Sequence, residues 1–220
     1  MITETSKAGM GASGRAGAGA GVSFGSKMRT RYHFEHYKPT EEYRRLCREM
    51  NLPDLNSLKR FYSNAELIEM GLLQKVDEWT MENIVVNTGL DDLLDKRFKA
   101  STYTSADYVG LTDGTPTVAA GDTMSSHAGW SEVTAYSEGT REALTLGSIS
   151  SASVDNSASK ASFSISSDST TIGGAFITTD NTKGGTSGIL YGAGAFTAGD
   201  KGLDNGDTLN VTVTLTTAAS

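Results

Sequence analysis

Thr208-Leu209-Asn210-Val211-Thr212-Val213-Thr214-Leu215 decides the fold class, because its apolar and polar side chains alternate without a break. Side chains of a strand point to opposite faces at every step, so Leu209, Val211, Val213 and Leu215 form one buried row and the threonines an outward one. Asn205-Gly206 just before it is a hairpin-turn pair. Further upstream, short apolar or alternating runs at residues 106–111, 131–136, 143–146, 160–165, 171–178 and 188–191 are separated by Asp113-Gly114, Asp155-Asn156, Asp180-Asn181 and Lys183-Gly184-Gly185. Short strands at this spacing predict a mainly β protein built on a β-sandwich or jelly-roll-like domain over residues 101–220.

Toward the N-terminus the period changes. Arg31-Tyr32-His33-Phe34-Glu35-His36-Tyr37 reads as a strand, and Leu73 to Val86 returns to a strand-like pattern. Between them, residues 38–72 read as a small helical insertion. Thr40 caps a helix carrying Tyr43, Leu46, Cys47 and Met50 on one stripe, residues 53–62 form a second short helix, and residues 64–70 form a third that stops at Gly71. Asn87 to Phe98 is a helix with Leu90, Leu93, Leu94 and Phe98 on one face. The division expected is a Gly-rich extended arm at 1–30, a strand pair with its helical insertion and a helix at 31–100, and the sandwich at 101–220.

Gly, Ala and Ser dominate residues 1–27, which alone bury too little to offset the entropy of ordering. Residues 1–31 hold five basic side chains and one acidic, whereas residues 101–220 hold four Lys/Arg against 12 Asp/Glu. A basic leader on an acidic body suits either docking to an acidic partner surface or a solubilising tail; in the docking reading Arg15, Phe24, Lys27, Arg29 and Arg31 bind the partner. The acidic Ser/Thr/Gly-rich half repels nucleic acid. The start of the chain lacks an apolar stretch behind basic residues, and no run nears the roughly 18 apolar residues of a span, so neither a secretory signal nor a membrane helix is expected. Cys47 is the single cysteine, so an internal disulfide plays no part.

Motifs that elsewhere carry chemistry fall in the wrong context. Gly9-Met-Gly11-Ala-Ser-Gly14 has no strand before it to present a dinucleotide phosphate. Gly21-Val-Ser23-Phe-Gly25 matches a nucleophile elbow but lies in the leader. His33 and His36 point to opposite sides of a strand, and His127 is remote in sequence. Asp200, Asp204, Asn205 and Asp207 offer calcium-type oxygens without EF-hand spacing and read as a hairpin turn. Asp91, Asp92 and Asp95 suit the start of a helix through its dipole. Asn210-Val-Thr212 is a sequon placed mid-strand. No enzyme, cofactor or metal is expected.

Three stretches taken together carry a resemblance: Asn83-Ile-Val-Val-Asn-Thr-Gly-Leu-Asp-Asp-Leu-Leu-Asp95; Tyr108 through Trp130 to Arg141; and Thr171-Ile-Gly-Gly-Ala-Phe-Ile-Thr-Thr leading to Leu203 and Leu215. They resemble a family of small tailed-phage virion structural proteins of head-decoration or tail type. The resemblance covers residues 73–220 and the strand Arg31 to Tyr37. It implies that this N-terminal strand pairs with the strand before Asn83, and that the protein is a non-enzymatic virion component assembled in the host cytoplasm. A capsid decoration or cement role is expected, with the major capsid protein as partner and many copies in a symmetric assembly, without nucleic acid or membrane. The alternatives are a head–tail connector, collar or tail component, and a glycan-binding adhesin in which Tyr103, Tyr108, Trp130 and Tyr136 stack on sugars.

Overall fold

The computed structural model describes residues 26–99, 102, 105 and 108–219. In chain order they form β1 (Ser26–Pro39), α1 (Glu41–Glu49), a 3-10 turn (Ser57–Arg60), α2 (Asn64–Glu69), β2 (Leu73–Glu82), β3 (Ile84–Val85), α3 (Asn87–Phe98) and β4 (Tyr108–Thr112). There follow β5 (Glu132–Val133), β6 (Glu142–Ala143), β7 (Ser153–Asp155), β8 (Ala161–Ser164), β9 (Thr170–Ile172), β10 (Gly174–Thr178), β11 (Leu190–Ala195), β12 (Lys201–Leu203) and β13 (Thr208–Ala219). Two antiparallel sheets make a β-sandwich-like fold. The first runs β2-β1-β13, with β7 and β8 both on the far side of β13; the second runs β3-β11-β10-β4, with β5 and β6 both beyond β4.

β13 behaves as its alternation requires. Leu209, Val211 and Val213 are fully buried in the inter-sheet core, beside Tyr32 and Phe34 of β1, Trp79 and Met81 of β2 and Phe163 of β8. Val109, Leu111, Ala175 and Ile177 face them from the second sheet. Phe34 stacks on Trp79 at 5.5 Å between centroids and meets Phe196 edge-on at 4.7 Å. Each such fully buried side chain contributes roughly 1.5–3 kcal/mol. β1 and β2 pair antiparallel from Arg31↔Glu82 to Pro39↔Leu73, the pairing expected for these two strands. They share a sheet with β13, so the boundary expected at residue 100 does not separate two units. Ser26 to Thr30, assigned to the arm from sequence, continue β1 and pair with β13.

Tyr37 follows the alternation of β1 to the outer face of the first sheet, and a bulge at Val76 of β2, opposite the His36–Tyr37 step, turns Leu73 to the same side. There Tyr37 joins Tyr43 and Cys47 of α1, Leu58, Leu67, Leu72 and Leu73 in a second core. Thr40 caps α1 by accepting from the Tyr43 amide, and Ser63 with Glu66 forms a full capping box on α2. Met50, expected on the α1 stripe, is the C-cap residue and exposed. Residues 53–62 yield only the one 3-10 turn. Asn64 donates to the outward hydroxyls of Ser162 and Ser164, fastening the helical module to β8. On the outer face of the second sheet the 113–131 loop closes a third core of Val86, Met124, Trp130, Phe176, Leu190 and Ala193.

Candidate docking surface

α3 packs with an unexpected side. Gly89 lies so close to the Tyr191 backbone that a Cβ there would meet its carbonyl oxygen at 2.7 Å. Asp92 accepts from the Tyr191 hydroxyl at 2.6 Å, and Thr88 donates to the Leu190 carbonyl at 2.9 Å. The small and polar face is therefore bound to β11. Leu90, Leu93, Leu94 and Phe98 do share one face, and it is turned outward, 41%, 37%, 56% and 78% exposed. Asp92, read from sequence as a dipole partner, is a buried hydrogen-bond acceptor also paired with Lys96.

Beside that face the sandwich is open. β2 leaves the first sheet at Glu82, and the chain crosses to the second sheet as β3. The Asn83 amide donates to the Thr30 carbonyl at the crossing. Beyond it, Ser26 to Arg29 pair with β13 alone, and among the described residues no strand lies along their other edge. The two sheets enclose an apolar cleft of about 640 Å³ at this end, lined by Met28, Thr30 and Leu215 from one sheet and Val85, Ile177 and Tyr191 from the other. Leu93 and Leu146 stand at its sides, both partly exposed, and Ile149 is 79% exposed. The sequence places Leu215 in a buried row and Leu93 on a helix face but does not show the cleft they border, because the opening depends on where β2 departs. The one available signal was the outward-inward alternation of β1, which continues through Met28 and Thr30.

Of the residues expected to bind a partner, Arg15 and Phe24 lie outside the described residues. Lys27 pairs through its backbone with Ala218. Arg29 and Arg31 are strand residues rather than arm residues. Both are exposed, opposite Thr216 and Thr214 on the outer face of the first sheet, away from the cleft. Of the aromatic set, Trp130 and Tyr136 are buried, Tyr108 is half-buried, and Tyr103 lies outside the described residues. The buried pair offers no ring face for a sugar.

The ionisable groups are mostly held in structural pairs. His36 Nε2 lies 2.8 Å from Asp207 Oδ2, both buried, and Asp207 also accepts from the Asp204 amide. The other turn carboxylates diverge: Asp200 accepts from Thr115, and Asp204 from Ser169 and Lys38. His33 lies 3.7 Å from Glu78, and His127 stacks on Trp130. Among the described residues no cluster of three or more His, Cys, Asp or Glu is placed to hold a metal, and no helix is long and apolar enough to cross a membrane. Arg141 is fully buried; it grips Glu132 with two hydrogen bonds, donates to the carbonyls of Asp180 and Gly185, and lies over the Phe176 ring. Burial lowers the Lys59 ammonium to about 8, where it donates to the Gly206 and Asp207 carbonyls. Burial, aided by the charge of Glu138, raises Glu142 to about 7. No family model matches this chain, and neither a curated protein nor a solved structure matches it.

Proposed function

We propose that this protein is a non-enzymatic structural component of a tailed-phage virion, a capsid decoration or cement protein that docks through the leader-bearing end of its sandwich. The observation that carries an assembly role is the open end: an apolar cleft and the outward leucine face of α3 sit where the leader joins β1. A contiguous exposed apolar region on a small domain is a contact surface. The phage assignment rests on the three stretches that resemble virion structural proteins. The partner is the major capsid protein, with many copies per particle; weak contacts repeated over a lattice supply avidity without a strong single site. Neither cofactor, nucleic acid nor membrane enters this reading.

Quantitative mass spectrometry of purified particles of the phage that encodes the chain tests the proposal. The chain is expected in the particle at a copy number comparable to the capsid protein. Six or twelve copies would move it to the neck or tail, and absence from particles would overturn the virion role.

A further inference from the structure

Two features meet at the open end. One is a backbone edge, Ser26 to Arg29, with no strand beside it among the described residues. The other is the apolar cleft, to which β1 contributes Met28 and Thr30. Edge backbone plus alternate side-chain pockets is the arrangement that accepts an added strand. Left bare, such an edge invites association.

We infer that the occupant is a second copy of this chain, joined by antiparallel pairing of the two β1 edges about a two-fold axis, so that Phe24 of each copy enters the cleft of the other beside Met28. The inference rests on the assembly reading above and names one of its partners. Parity supports it. Val22 and Phe24 share the even positions of Met28, Thr30 and Tyr32, so an extended continuation of β1 turns them toward the cleft side. A two-fold strand pair is self-complementary: residue i opposes j and j opposes i. Centred on Ser26, that register sets Phe24 against Met28 and ends there, because the Thr30 carbonyl on this edge already accepts from the Asn83 amide. A cleft of about 640 Å³ lies in the range of roughly 300–1,000 Å³ typical of ligand pockets and has room for the Phe24 ring. The chain's own Phe24 cannot fill this place. Gly25 alone separates it from Ser26, and a hairpin needs a loop of at least about two residues. The partly exposed Leu93, at the side of the cleft, is covered by the joint.

Disulfide trapping in the full-length chain tests this directly. Phe24→Cys and Met28→Cys chains are mixed under mild oxidation, with each variant alone and the parent chain as controls. The expected result is a reducible dimer formed only in the mixture. By sedimentation the parent is a reversible dimer, and Phe24→Asp or Leu93→Asp weakens it by at least about tenfold, as loss of a buried apolar anchor does, while the unfolding midpoint of the dilute monomer stays unchanged. A parent that is monomeric at all concentrations, or a dimer insensitive to both variants and untrapped in the mixture, overturns the pairing. A chain incorporated in particles yet monomeric and untrapped overturns this inference and leaves the virion role standing; a trapped dimer absent from particles does the reverse.

Discussion

The two ends of the sandwich are built on opposite plans. At the closed end, Phe34, Trp79 and Phe196 lock in a ring cluster, β12 and β9 pair across the end, and the helical module covers the outer face of the first sheet. At the open end the same strands run out past the last cross-sheet contacts. Met28 and Leu215 line a cleft where Phe34 and Leu209 fill a core. β1 and β13 alternate at both ends, with the aromatic side chains gathered at the closed one. The difference comes from β2, which stays beside β1 over Arg31 to Pro39 and then leaves. Where a neighbour strand persists the apolar row becomes interior, and where it departs the same row becomes a surface.

Substitutions at the two ends should therefore differ sharply. Phe34→Ala removes the centre of the ring cluster and should cost about 4 kcal/mol of unfolding free energy in a denaturant titration; a loss under about 1 kcal/mol would show that the closed end is not the stabilising one. A smaller effect is expected at the flank of the helical module, where Glu142 is partly desolvated. Its folded-state pKa of about 7 lies above the ordinary 4.5, so the folded chain holds a proton that the unfolded chain releases between those values. Stability from this group is present at pH 4.5 and is lost as pH rises to 7. Glu142→Gln should raise stability at pH 8 by about 1–2 kcal/mol, discounted for partial exposure, and change nothing near pH 4; a gain equal at both values contradicts the account of its burial. The smallest effect belongs to the open end. Leu94→Ser replaces an outward side chain and should shift the dilute monomer by less than about 0.5 kcal/mol. A larger loss would mean that α3 packs on its leucine face after all.

Much of the architecture is legible in residues whose neighbours are local or repetitive. The alternation of Val211, Val213 and Leu215, the caps at Thr40 and Ser63, and the strand Arg31 to Tyr37 all report backbone geometry directly. The inversion of α3 is not legible, because Gly89 and Asp92 choose their face only through contact with Tyr191, about a hundred positions away. Arg141 is the single arginine among the four cations of the acidic half. Its partners are set by tertiary structure: β4 pairs with both β5 and β6 and so holds Glu132 beside it, and the 181–188 turn brings the Gly185 carbonyl. β7 was missed because Ser153-Val-Asp155 is short and pairs with the end of β13, which runs beyond the Leu215 at which the alternating stretch closes. The cleft is the hardest case. It is made by the absence of a neighbour, and no residue records where a neighbour stops.

Hydrogen exchange, compared between the free chain and the chain in purified particles, tests the account most directly. Assembly through the open end is expected to slow exchange at residues 26–30, across α3 and around Leu146, while the closed end, already protected by β1–β2 pairing and the ring cluster, exchanges at the same rate in both states. Unchanged exchange at the open end, with new protection confined to the helical module or the 113–131 loop, would contradict it.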